Sequence, residues 1–231
     1  TNTLMAWEDQ DSTGYVPWAF QGSNYGFTAG GATGSTNYSD IIDRFAFTSN
    51  VTATDWGDLS IGRSGCSGQS SSTDGFTSGG YRYGYQNYID KFSFTSNTTA
   101  SDHGDLSVSR NGSAGQSSST HGFASGGYSS TTTIDKFSFS SNTTASDHGD
   151  LSVGRQGCTG QSSTDYGFTS GGETNNYIDK FTFSSNTTAS DHGDLSLSRH
   201  SAAGQSSTTD GFTSGGAISG FYQDTMDKIS F

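Results

Sequence analysis

Asp-His-Gly-Asp occurs three times in the chain, at Asp102–Asp105, Asp147–Asp150 and Asp191–Asp194, and a related copy at Asp55–Asp58 has Trp56 in place of the histidine. Two carboxylates and an imidazole suit a divalent metal. Trp56 cannot ligate, however, and Asp-x-Gly is a common turn former. The phrase is read as a turn that starts a strand, and no metal is expected there. The chain contains no HExxH, no nucleophile elbow and no phosphate-cradling glycine loop before a helix. An active site brings unlike residues together and so breaks a repeat. No unlike set stands out here, and neither catalysis nor a cofactor is expected.

The two cysteines, Cys66 and Cys158, sit in one recurring phrase, with Ser113 and Ala202 at the equivalent places. They read as small buried side chains. Equivalent positions two repeats apart are distant in a ring, so both thiols are expected to be free. Asn37, Asn50, Asn97, Asn111, Asn142 and Asn186 match the Asn-x-Ser/Thr acceptor pattern; a polar hairpin turn is the simpler role for the Asn-Thr-Thr copies.

One loop varies in length and wording among the repeats. It reads ATGSTNYSDI from Ala32, YRYGYQNY from Tyr81, YSSTT from Tyr128, ETNNY from Glu173 and AISGFYQDT from Ala217. Tyrosine offers a rigid aromatic face and a polar rim, which suits sugars and protein surfaces. Divergent loops on a fixed scaffold are where recognition is expected. The candidate ligand-binding residues are Tyr81, Arg82, Tyr83, Tyr85, Tyr88, Tyr128, Tyr177 and Tyr222. Arg82 adds a donor for a carboxylate or sulfate.

The net charge of −12 over 231 residues argues against a nucleic-acid surface and against anchoring on anionic lipid. No apolar run approaches the ~20 residues of a membrane span. The start at Thr1 rather than Met reads as a processed or trimmed product. Leu, Ile, Val and Phe number only 34, a share low enough to suggest disorder. The periodicity of those residues overrules that suggestion.

The elements that carry these residues follow from self-similarity. An (I/M)DK phrase places Asp43, Asp90, Asp135, Asp179 and Asp227 at spacings of 47, 45, 44 and 48 residues. Each copy holds four short extended pieces. In one copy they are AGQSS from Ala114, GFASGG from Gly122, TIDKFSF from Thr133 with a slip near Asp135–Lys136, and GDLSVGR from Gly149. Alternation puts Phe137, Phe139, Leu151 and Val153 on buried faces. Four strands per repeat of this length predict an all-β, five-bladed β-propeller of four-stranded antiparallel blades. It is read as one domain spanning residues 1–231. The chain ends on a third strand, so the segment near Thr3–Trp7 is expected to pair with Met226–Phe231 and close the ring. Gln69, Gln116, Gln161 and Gln205 fall on the innermost strands and are candidates to line the channel or to satisfy buried backbone groups.

The pattern Phe123, Gly126–Gly127, Ile134–Phe139, Asn142–Thr144, His148, Leu151 and Arg155 resembles the kelch repeat. The outer-strand tryptophan of that repeat is matched by Trp56, and His103, His148 and His192 stand in its place elsewhere. The resemblance implies that Arg63, Arg110, Arg155 and Arg199 lie at the blade crossings. The copper-binding Tyr, His and Cys-linked Tyr of kelch-like oxidases have no counterparts. The wording of the repeat also resembles predicted tail-fibre and surface proteins of aquatic bacteriophages. Together these readings point to a non-catalytic surface module, extracellular or on a virion, that binds a glycan or a surface protein. The alternatives are a structural subunit of a fibre or virion assembly, self-associating through its ends, and thirdly an enzyme.

Overall fold

The computed structural model describes residues 24–34, 36–128 and 131–231. The described residues form five antiparallel sheets arranged as a five-bladed β-propeller, with no helix. The first blade comprises β1 (Tyr25–Ala29), β2 (Ile41–Ala46) and β3 (Thr54–Asp58). The second has β4 (Ser67–Ser70), β5 (Asp74–Ser78), β6 (Tyr88–Ser93) and β7 (Ser101–Asp105). The third has β8 (Ala114–Ser117), β9 (His121–Ser125), β10 (Thr133–Ser138) and β11 (Ser146–Asp150). The fourth has β12 (Thr159–Ser162), β13 (Tyr166–Ser170), β14 (Tyr177–Thr182) and β15 (Ser190–Asp194). The fifth has β16 (Ala203–Ser206), β17 (Asp210–Ser214) and β20 (Met226–Ser230). Its variable loop carries a small hairpin, β18 (Ala217–Ile218) with β19 (Phe221–Tyr222).

The middle three blades have four strands each, whereas the first and last have three among the described residues. The expected pairing of Thr3–Trp7 with the last strand lies outside the described residues.

The outermost strand sits earlier than the alternation in GDLSVGR implied. It is the SDHGD segment itself, and the third-to-fourth pairing carries a bulge between Thr133 and Asp135. Leu151 is buried as expected, but Val153 is exposed. The reason lies one blade away. Ser152 donates its backbone N–H and its hydroxyl to Asp179 of the fourth blade, so the chain has already left for the crossing.

The same contacts recur at four seams. Phe27 stacks on Phe94 at 4.9 Å, Phe76 on Phe139 at 4.7 Å, Phe123 on Phe183 at 4.7 Å and Phe168 on Phe231 at 4.8 Å. Each pair joins one of the equivalent strands β1, β5, β9 and β13 to the residue that follows β6, β10, β14 or β20 in the next blade. A phenylalanine buries ~150–250 Å², which is how a chain so poor in aliphatic residues builds a core. Phe92, Phe137, Phe181, Leu106, Leu151 and Leu195 are all buried, as their alternation predicts.

A run of backbone hydrogen bonds joins successive crossings. Gly112 N–H donates to Gly65 O, Gly157 N–H to Gly112 O and Ser201 N–H to Gly157 O, each at 2.8 Å. The glycines take φ of 63–67° here, and Ser201 takes 54°. That left-handed conformation is why glycine recurs at this place.

In an antiparallel blade, the crossings and second-to-third loops share one end of the ring, and the remaining turns share the other. The first is here called the loop end and the second the turn end. Ser64 in a crossing accordingly exchanges backbone hydrogen bonds with Tyr81 in a variable loop.

Candidate functional site

The loop end brings five tyrosines from three successive blades into one ribbon. Tyr38 lies 6.0 Å from Tyr81 and 5.5 Å from Tyr83 between ring centroids. Tyr81 lies 5.5 Å from Tyr85, which stacks on Tyr128 at 4.2 Å. Isolated bridges Ser64↔Tyr81 and Tyr81↔Tyr85 shape this loop, and Gln86 donates its amide to Arg82 O and Gly84 O. Tyr83 is 72% exposed with φ of 54°, and its hydroxyl reaches Thr36 O. A non-glycine residue in that region costs ~1–2 kcal/mol and points to a constraint beyond local propensity. The Arg82 guanidinium sits 5.9 Å from the Tyr83 ring centroid. Lost solvation first, then the neighbouring Tyr128 hydroxyl, push the Tyr85 phenol up to about 12, so it remains a neutral donor at neutral pH.

Of the sequence candidates, Tyr81, Arg82, Tyr83, Tyr85 and Tyr128 come together. Tyr88 and Tyr177 do not join them: they head β6 and β14 opposite Asp105 and Asp194. Tyr88 lines a separate cleft of about 360 Å³ with Asp90, Asp102 and Asp105. Tyr222 is 92% exposed in the β18–β19 hairpin of the last blade. Tyr38 was not singled out from sequence; its position in the same variable loop of the first repeat was the available signal.

The glutamines lie in the seams. Gln69 donates to Phe123 O at 2.9 Å, Gln116 to Phe168 O at 2.9 Å and Gln161 to Phe212 O at 3.2 Å, each in the next blade. These three are buried, whereas Gln205 is exposed. A cavity of about 250 Å³ between the innermost strands is lined instead by residues such as Gly68, Gly115, Gly160 and Gly204.

The Asp-His-Gly-Asp histidines are donors across the same seams. His103 Nε2 is 2.8 Å from Ser138 O, His148 Nε2 2.9 Å from Thr182 O and His192 Nε2 3.0 Å from Ser230 O. Trp56 Nε1 donates to Ser93 O at 2.8 Å in the same way. Imidazole and indole therefore share this slot because both present a ring N–H at one reach.

The arginines cross the seams as ion pairs. Arg63 meets Asp90 at 2.8 Å, Arg110 meets Asp135 at 2.5 Å, Arg155 meets Asp179 at 3.2 Å and Arg199 meets Asp227 at 2.9 Å.

Both cysteines are free, Cys158 buried and Cys66 partly so. Burial pushes both thiols up, partly offset by the charges of Arg63 and Arg155. Thiol counting in denaturant without reductant is expected to find two, with Cys66 alkylated before Cys158 in the native state. A count of zero would break the assignment.

No family model matches this chain, and no curated protein matches it.

Proposed function

We propose that the protein is a non-catalytic surface module that binds a glycan at the loop end of the ring. The observation that carries this reading is the continuous ribbon Tyr83–Tyr38–Tyr81–Tyr85–Tyr128, assembled from three blades and open to solvent at Tyr83. Such a strip matches the alternating apolar faces of an extended sugar chain, with phenol rims and Arg82 at its polar edges. The seam contacts repeat from blade to blade, whereas this ribbon does not, which separates support from recognition. The resemblance of the repeat's wording to predicted phage surface proteins is what suggests an extracellular or virion setting.

The test is a glycan array followed by titration of the best soluble hit. Tyr83→Ser with Tyr85→Ser is expected to weaken binding by at least about tenfold, since each stacking ring contributes ~0.5–1.5 kcal/mol beyond its buried area. The melting temperature should move by only a few degrees. Unchanged affinity in the double variant would remove the ribbon from the site.

A second reading is a fibre subunit. β1 and β20 each form a sheet edge among the described residues, and open edges pair with other chains. Native mass decides between them: monomers favour the binder and long polymers the fibre.

A further inference from the structure

In each blade, the residue that opens the second strand is matched with a cation of the third strand: Tyr25 with Arg44, Asp74 with Lys91, His121 with Lys136, Tyr166 with Lys180 and Asp210 with Lys228. Four of these pairs are attractive. Lys91 lies 3.3 Å from Asp74 and Lys228 lies 3.1 Å from Asp210. Arg44 sits 4.4 Å over the Tyr25 ring and Lys180 sits 4.0 Å over Tyr166. The third blade departs from this, because its Lys136 faces an imidazole whose protonated form has the same sign of charge. Among the described residues, Lys136 meets Phe183 O at 3.3 Å and the Phe123 ring at 5.7 Å. His121 Nδ1 is held by the Thr120 hydroxyl at 2.8 Å, which leaves Nε2 outside that bond.

The two side chains share a cleft of about 500 Å³ at the turn end, between the third and fourth blades. Ser138, Ser146, Ser184 and His148 line it with them. His148 commits Nε2 to Thr182 O and has Asp147 beside it. An adjoining cleft of about 420 Å³ shares Lys136 and His121 but includes the Asp165 carboxylate, which disfavours a second negative charge there.

We propose that the first cleft is an oxyanion site in an otherwise acidic protein. Lys136 supplies the charge and His121 Nε2 a hydrogen-bond donor, while the Ser138 and Ser184 hydroxyls at the rim are each paired with a neighbouring hydroxyl, of Ser140 and Thr182. The ligand chemistry is a sulfate, phosphate or carboxylate group, free or carried on a sugar. The site lies at the opposite end of the ring from the tyrosine ribbon and does not depend on it. Burial first, then the charges of Lys136 and His148, hold His121 below its ordinary value. An anion screens that repulsion and raises the His121 value, so binding takes up a proton and strengthens as the pH falls through the titration of His121.

The experiment is titration of the histidine-labelled protein with sodium sulfate at fixed ionic strength, read by imidazole nuclear magnetic resonance, with chloride as the reference. The expected result is a saturable shift at His121 and an upward move of its pKa. His121→Asp rebuilds the Asp–Lys pair of the second and fifth blades, so it should fold; read at the His148 imidazole, which lines the same cleft, it should weaken the sulfate response by at least about tenfold. Lys136→Gln should do the same, while Tyr83→Ser with Tyr85→Ser leaves the response intact. A parallel titration with glucuronate identifies the source: tighter glucuronate binding assigns a sugar carboxylate, and tighter sulfate binding assigns a tetrahedral oxyanion. Absence of saturation with both probes, or an unchanged response in both His121→Asp and Lys136→Gln, would overturn the assignment.

Discussion

Asp135→Ala is expected to destabilise the protein by ~3–5 kcal/mol, the usual cost of stranding one partner of a buried ion pair. Asp135 and Arg110 are fully buried. One carboxylate oxygen accepts from Arg110 at 2.5 Å and from Ser107 N–H at 3.0 Å, and the other accepts from the Ser107 hydroxyl at 2.7 Å. Arg110 also donates to Thr133 O and Ala124 O, but among the described residues its Nε has no hydrogen-bond partner. Burial alone holds Arg110 below the ordinary arginine value, and Asp135 opposes that shift. Without the carboxylate, the guanidinium stays buried with its charge unmatched, and the crossing at Ser107 loses its anchor. The loss is a large part of a typical stability of ~5–15 kcal/mol. Urea unfolding measures it. Adding Arg110→Met should recover more than ~1 kcal/mol, because burying neither charge is often close to neutral. A double variant no more stable than Asp135→Ala would show that the stranded charge is not the cause.

Phe137→Ala is expected to cost ~3–5 kcal/mol. The ring is 2% exposed and tilts against Phe76 at 5.7 Å, with Phe139 at 6.0 Å and His103 at 6.4 Å. It also covers the bare backbone of Gly122 in the adjacent strand, where a Cβ would lie 2.3 Å from Phe137 Cζ. The same glycine and phenylalanine meet as Gly75 with Phe92 and as Gly167 with Phe181. Truncation therefore opens a cavity that no neighbouring side chain on Gly122 can fill, and it exposes strand backbone beneath. Thermal or urea unfolding checks this, and a loss below ~1 kcal/mol would mean that the second and third strands do not pack as described.

Much of this architecture was legible in the sequence because repetition is a local, countable property. The spacing of Asp43, Asp90, Asp135, Asp179 and Asp227 marked five units, and period-two alternation located Phe137 and Phe181 in the core. The tyrosine-rich loops stood out because they varied in length as well as in wording. The rest depended on which blade comes next in space. His148 could be read as a turn residue or a ligand until Thr182 O appeared 2.9 Å away. The glutamines were open to lining a channel or satisfying buried backbone groups until the neighbouring carbonyls decided for the second at Gln69, Gln116 and Gln161, and the outer strand ended early because Asp179 draws Ser152 into the crossing. Tyr38, Tyr81, Tyr83, Tyr85 and Tyr128 became one surface, without Tyr88, Tyr177 and Tyr222, for the same reason. Composition and periodicity act along the chain and determined that there would be blades and what they would bury. Contacts between blades join residues about 45 positions apart, and only the packing of successive blades decided which side chains meet across a seam.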